Sequence, residues 1–192
     1  MILAAGGSTR LGRPKQLLPF RGRSLLRHAA ETALESVCRP VVVVLGAKAE
    51  RLEAELNGLA VKVVNNPEWV SGMGSSIWAG LEAMGLAGDG EVDTNGVVIM
   101  LCDQPLISAR RLDELVAAQS VCAKGIVAAE YGGTTGVPAL FSRKYNGELA
   151  GLGAAEGAKR IILEHADDVE RVYCPEGAID IDTEADYERL QA

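Results

Sequence analysis

Three short apolar runs constrain this chain more than any other feature: "PVVVVLGA" (40–47), "VKVVNN" (61–66) and "GVVIMLCD" (96–103). A strand with one wet face alternates apolar and polar residues. These runs do not alternate, so they read as strands covered on both faces, as in a parallel sheet between two helical layers. Met1 to Ala5 reads as a shorter first strand. Helical patterns fill the gaps at 24–37, 48–56, 75–86 and 108–120. Strand–helix alternation predicts a doubly wound α/β domain with right-handed crossovers. After residue 120 the rhythm changes. "GIVAAEY" (125–131) and "VPALFS" (137–142) predict strands around the loop "GGTTG", then a helix over 154–166, a strand at "VERVYC" and a last helix from Thr183. This half is expected to add an antiparallel strand to a mainly parallel sheet. With no repeat or low-complexity linker, the expectation is one domain over 1–192. The change of rhythm sets a first half, about 1–120, apart from a second, about 121–192.

Composition narrows the partners. Of 192 residues 48% are hydrophobic but only 4% aromatic, so the core must be aliphatic. A net charge of -7 argues against nucleic-acid binding, which needs excess Lys and Arg to displace counterions. No run approaches the length of a membrane span. The four cysteines form no CxxC pair, which suits a reducing cytoplasm, and no secretory leader is legible. Cys102 and Cys174 read as small core residues. With two histidines, both in helical patterns, a histidine-based triad or metal centre is not expected.

The chemistry concentrates in "LAAGGSTRLGRPKQLLPFRG" (3–22). Gly7 and Gly12 have the glycine spacing of a Walker loop, but Arg13-Pro14 stands where Lys-Ser should follow. The GxGxxG fingerprint is absent too. The physical logic survives, because a loop leaving the carboxyl end of a first strand lies at the mouth of an open sheet. Glycines let backbone N–H groups approach phosphate oxygens, and Arg10 and Lys15 can neutralise charge. Pro14 is expected to set Lys15 on an extended arm reaching inward. The alternative is a flexible turn with solvated basic residues.

Two carboxylates could join this loop. Asp103, at the end of a buried run, points to the same crevice and can hold a hard divalent cation or serve as a turn cap before Pro105. Ser108 is available as N-cap of the following helix. In "IDIDTEADYERL" (179–190), Thr183 and Asp186 form a capping box. Asp182 ends an apparent strand before that box, either as a helix-end carboxylate or as a second metal ligand.

Taken together, these segments resemble a known family. "LAAGGSTRLGRPKQLLPFRGRSLL" resembles the LAAGxSxRxGxxKxLLPxxGxxLL signature of MobA-like nucleotidyltransferases. "LCDQP" and "DIDT" are most similar to the molybdenum cofactor cytidylyltransferase group. The resemblance covers nearly the whole chain. It implies a Rossmann-like fold, a nucleoside triphosphate (CTP in this group), Mg2+, and molybdopterin as phosphate-bearing acceptor. It also implies a molybdenum hydroxylase as receiving partner. Transferred residue by residue, Leu3, Ala4 and Ala5 would line base and sugar, and Gly6, Gly7, Ser8 and Arg10 would surround phosphates that Lys15 contacts. Asp103 and Asp182 would hold the metal. In "NNPEWVSGMGSSIWAGL" (65–81), Gly74, Ser75 and Ser76 would begin a helix facing base or anion, or form an ordinary loop and cap. Gly136, Pro138, Gly157 and Lys159 would face the acceptor. One departure falls in "LAGLGAAEGAKRIILEH" (149–165), where Ala155 stands in place of the family's acidic residue. At the start of the expected helix, that loss would leave N–H groups for an anion.

The implied reaction is in-line attack of an acceptor phosphate on the α-phosphorus, which needs positioning and charge neutralisation more than a general base. Isoprenoid, sugar-phosphate and guanylyl transfer use the same toolkit. A non-catalytic factor escorting cofactor to a hydroxylase is the reading from a different class. LAAG rather than LAGG favours cytidine.

Overall fold

The computed structural model describes residues 1–88 and 94–191. Its strands are β1 (Ile2–Ala4), β2 (Pro19–Phe20), β3 (Arg23–Ser24), β4 (Val42–Leu45), β5 (Lys62–Asn65), β6 (Gly96–Leu101), β7 (Ile126–Tyr131), β8 (Thr134–Ser142) and β9 (Val169–Tyr173). Its helices are α1 (Leu25–Glu35), α2 (Ala49–Glu53), α3 (Met73–Ala83), α4 (Ala109–Val121), α5 (Asn146–Ala150), α6 (Ala158–Glu164) and α7 (Glu184–Gln191). Seven strands form one sheet in the order β5-β4-β1-β6-β8-β7-β9, and β2 and β3 pair as a small ribbon. In the seven-stranded sheet β8 runs antiparallel to both its neighbours and the remaining pairings are parallel, while the β2–β3 ribbon is antiparallel.

The double burial read from the apolar runs is visible residue by residue. Val42 and Val44 face one core with Leu3, Ile77 and Ile161, while Val43 and Leu45 face the other with Ile2, Leu26 and Leu112. All four residues of β4 are fully buried, and each such side chain contributes roughly 1.5–3 kcal/mol through the hydrophobic effect. Helices α3, α5 and α6 cover the first face, and α1, α2 and α4 the second.

The order places a topological switch point between β1 and β6. From β1 the chain moves outward to β4 and β5, then returns to β6 on the other side of β1. Connections diverge there, so a crevice opens at the carboxyl ends of these two strands. Leu3 lies beside Leu101 in the register, so Ala5 and Asp103, each two residues farther on, emerge at that crevice.

Several local expectations change. Gly132 and Gly133 both have positive φ (55° and 75°), as a tight two-residue hairpin turn requires, so Thr134 to Gly136 belong to β8 and not to a loop. Helix α6 begins at Ala158, not at Ala154. Residues 151–157 carry three glycines and turn instead, with Glu156 accepting the Gly153 N–H at 2.7 Å and Gly157 extended as N-cap. Ala155 is therefore an exposed loop residue, not the opening of a helix. Lys15 starts a short 3-10 turn (Lys15–Leu17), so only Pro14 before it is extended. Helix α3 starts at Met73, ahead of Gly74. Residues 179–182 form no strand: the Ile181 N–H makes one bond to the Asp103 carbonyl, not a ladder. Ser108 is the N-cap of α4 by position, but its side chain makes no capping bond.

Candidate active site

The loop after β1 is tied down from within the motif. Ser8 adopts φ 53°, a left-handed conformation that costs a non-glycine residue energy. Its hydroxyl accepts the Lys15 N–H at 3.0 Å and its carbonyl accepts the Gly12 N–H at 3.1 Å. Gln16, fully buried, donates through Nε2 to the carbonyls of Ala4 (2.9 Å) and Gly6 (2.7 Å). The end of β1 and the start of the glycine loop are thereby tied to one buried side chain. Gly6 and Gly7 remain exposed at the crevice, while Leu3, Ala4 and Ala5 are buried beneath them.

Lys15 is the hub of the charges. Its ammonium lies 2.5 Å from Asp103 Oδ2 and 2.8 Å from Asp182 Oδ1. Arg10 reaches the other oxygen of Asp182 at 2.7 Å. Burial by itself would lower the Lys15 pKa, but the charge and hydrogen bonds of Asp103 and Asp182 outweigh it and raise it to about 12. Burial pushes the Asp182 carboxyl up, and Lys15 and Arg10 reverse this to hold it below the ordinary carboxylate range.

Asp182 arrives from the far end of the chain because a satellite core carries it there. Ile181 and Tyr187 pack with Leu18, Phe20 and Leu25, and the Tyr187 hydroxyl donates to the Pro19 carbonyl at 2.8 Å. The capping box is formed as expected: the Thr183 N–H donates to Asp186 at 2.8 Å and the Asp186 N–H to the Thr183 hydroxyl at 3.3 Å. Asp186 thus holds α7, and Asp182 is turned toward Lys15.

Hard oxygen donors suit Mg2+, which binds through one or two carboxylates plus substrate phosphates. Asp103 and Asp182 share one cation already, and Asp103 Oδ1 is buried with no hydrogen-bond partner among the described residues. Among those residues no group of three His, Cys, Asp or Glu could hold a metal unaided. The pair fits a metal that a phosphate helps to ligate.

The residues attributed to the acceptor lie on β8 and at the start of α6. Gly136 and Pro138 are buried in β8. Because β8 runs antiparallel, its beginning lies at the crevice, beside the end of β6. Lys159 is exposed on α6, and Gly157 precedes that helix. The loop before it covers the start of α3 instead: the Gly74 N–H donates to the Ala154 carbonyl at 3.0 Å. Ser75 donates its hydroxyl to the Gly72 carbonyl at 2.8 Å, and the buried Ser76 hydroxyl accepts from Asn66 at 3.0 Å.

Residues outside the sequence reading complete the site. Gln104 donates to the carbonyls of Val137 (3.2 Å) and Gly177 (2.9 Å), joining the end of β6 to β8 and to the turn before Asp182. Trp69 packs on Gly46: a Cβ there would lie 2.5 Å from Trp69 Cβ and 2.8 Å from the Ala5 carbonyl oxygen, so only glycine admits this approach. Asp180 is a third carboxyl nearby; burial, then Asp182 and Asp103, raise its pKa. "DQP" contains Gln104, whereas Gln16 falls at an unspecified position of the glycine-loop signature. Trp69 and Asp180 acquire their neighbours only through folding.

The MobA-like NTP transferase domain model matches residues 1–169. The chain belongs to this family. The family's domain is an NTP transferase domain. Nicotine blue oxidoreductase of Paenarthrobacter nicotinovorans is 45% identical over 118 residues, covering 60% of this chain and 54% of that protein. Bifunctional protein GlmU of Streptomyces coelicolor is 34% identical over 173 residues, covering 87% of this chain and 33% of that protein. The chain thus spans about half the length of the first relative and a third of the second. The crystal structure of Rv0371c from Mycobacterium tuberculosis superposes with a TM-score of 0.80 at 30% identity, covering 100% of this chain and 96% of that one. A manganese complex of Rv0371C superposes with a TM-score of 0.78 at 28% identity, covering 98% and 95%. Among the described residues, no helix is long and apolar enough to cross a membrane.

Proposed function

We propose that this chain transfers a cytidylyl group from CTP to the terminal phosphate of molybdopterin with Mg2+, releasing pyrophosphate. The observation that supports this most is the Lys15–Asp103–Asp182–Arg10 cluster beside a glycine loop at the switch point. We assign residues from about 1 to 120 to the nucleotide and from about 121 to 192 to the acceptor, with Asp182 returning to the metal. The backbone N–H groups of Gly6, Gly7 and Ser8 bind phosphate oxygens, and Arg10 and Lys15 neutralise them. Asp103 and Asp182 hold the divalent cation. When bound, that ion neutralises the α-phosphate and the departing pyrophosphate. An acceptor phosphate oxygen attacks the α-phosphorus; a new P–O bond forms, and the bond to the β-phosphate oxygen breaks with its electron pair on pyrophosphate. The attacking oxygen is already ionised, so the absence of a histidine from the cluster fits. The product then passes to a molybdenum hydroxylase. The manganese complex of Rv0371C supports a divalent metal in this fold.

The test measures pyrophosphate release with molybdopterin and CTP, GTP or ATP, with and without Mg2+. Release with CTP and acceptor together supports the reading. Release with GTP, or with a sugar or isoprenoid phosphate as acceptor, replaces the base or the acceptor. A second reading follows the name of the Paenarthrobacter relative. It requires nicotine-blue-dependent oxidation of a reduced nicotinamide or flavin cofactor, and no pyrophosphate.

A further inference from the structure

The Lys15 ammonium occupies the position between the two carboxylates that the proposed reaction gives to the metal. It contacts Asp103 Oδ2 and Asp182 Oδ1, and Arg10 contacts Asp182 Oδ2. Three of the four carboxylate oxygens therefore already face a protein cation, and two positive groups balance two negative ones. A divalent ion entering here would meet an ammonium at contact distance, where like charges repel strongly once water is excluded. The Lys15 side chain is only 15% exposed, so solvent screens that repulsion poorly. Nor do the described carboxylates, histidines and cysteines make up a full ligand set without outside oxygens.

A triphosphate changes both conditions. It supplies oxygen ligands, and it offers Lys15 and Arg10 a more highly charged partner than a carboxylate. The flexible four-carbon stem of lysine lets the ammonium move without the backbone, which Ser8 and the 3-10 turn hold in place. Arg10 is 70% exposed and free to swing.

We propose that Lys15 is an internal countercation that closes the Asp103–Asp182 pair to divalent metal until a triphosphate draws the ammonium away. Metal and nucleotide then bind as a coupled pair. The inference rests on the functional reading above, which makes the two aspartates metal ligands. Linkage makes the coupling reciprocal: CTP tightens metal by the factor by which metal tightens CTP.

The experiment uses the full chain without acceptor, so that no turnover occurs. Thermal unfolding is followed during titration with MnCl2, alone and with saturating CTP, for wild type, Lys15→Gln and Lys15→Arg. Ligands that bind only the folded state raise Tm. Wild type and Lys15→Arg should respond little to Mn2+ alone. Lys15→Gln should bind Mn2+ alone at least about tenfold more tightly, within the usual range of coupling between sites. For wild type, the rise with Mn2+ and CTP together should exceed the sum of the separate rises. This arm needs no variant, and additivity in it overturns the proposal even if Lys15→Gln does not fold. Equal Mn2+ affinity in wild type and Lys15→Gln overturns the countercation role and leaves the functional reading intact. Additive wild-type responses overturn it as well. No Mn2+ response in any protein, with or without CTP, overturns both.

Discussion

Where β1 and β6 end, the polar groups of the crevice are held by specific partners, some within the same motif and some far away in sequence. Gln16 fixes two carbonyls of the glycine loop, and Lys15 binds carboxylates 88 and 167 residues away. Where β8 begins and residues 151–157 turn, Gly136 and Pro138 are buried, the turn is rich in glycine and alanine, and Lys159 and Ala155 are exposed. The first region is a preorganised cluster of charges. The second is defined by shape and backbone. On the proposed function, the first region neutralises a triphosphate with fixed charges, and the second gives an acceptor room.

Breaking the preorganised side should have the largest effect. Lys15→Ala and Asp103→Ala should each lower pyrophosphate release on the order of a hundredfold to a thousandfold, as removal of one electrostatic group does. Circular dichroism should show the fold retained, because neither side chain belongs to the apolar cores. Wild-type rates in either variant would return the cluster to a structural ion pair. Gln16→Ala comes next. It leaves the Ala4 and Gly6 carbonyls without their donor and should cost about 1–3 kcal/mol in denaturant unfolding. The apparent constant for CTP should rise and that for the acceptor stay put.

The shape-defined side should respond differently. In Gly136→Ala the new Cβ would come within 2.5 Å of the Tyr131 hydroxyl, which donates to the Val137 carbonyl. The acceptor constant should rise severalfold with the CTP constant unchanged. Movement of the CTP constant alone would show that β8 serves the nucleotide. Ala155→Asp, the smallest change, should alter stability by no more than about 0.5 kcal/mol, being exposed, and should shift only the acceptor constant. Because this loop caps Gly74, a shift in the CTP constant would merge the two regions and erase the boundary drawn here.

The pH dependence of stability sharpens the contrast too. The Asp182 pKa is depressed on folding, so its contribution is present above its ordinary value near 3.8 and lost as pH falls through the lower folded value. Lys15 is raised from 10.5 to about 12, so its contribution is complete below 10.5 and lost as pH rises through about 12. The stability difference between wild type and Lys15→Gln should therefore be flat near neutrality, shrink in acid as the carboxylates take up protons, and shrink as pH rises through about 12. Urea unfolding across that range checks it, and a slope near neutrality would contradict the assignment.

The layered α/β architecture was legible because burial on both faces leaves a local mark: runs such as Val41 to Leu45 have no polar alternation to read otherwise. The glycine loop, Lys15 and the end of β6 were legible for the same reason, since a strand's carboxyl end locates its own loop. The capping box set Asp186 apart from Asp182 before any fold was known. The start of α6 was misjudged, because Ala154 to Ala166 is helical in composition while Glu156, bonded to Gly153, favours a turn that composition does not reveal.

What folding alone decided is which charges meet. Nothing local tells Asp182 to stand 2.8 Å from Lys15. It is brought there by the burial of Ile181 and Tyr187 against Leu18 and Phe20, and by one backbone bond from Ile181 to Asp103. Likewise the antiparallel sense of β8, set by the two-glycine turn and its pairing with β6, brings Gly136 to the mouth of the crevice. Periodicity and glycine placement act between near neighbours and so are written in the sequence. The contacts that assemble the site join segments up to 167 residues apart. They follow from how the apolar faces of those segments pack, a property of the whole chain.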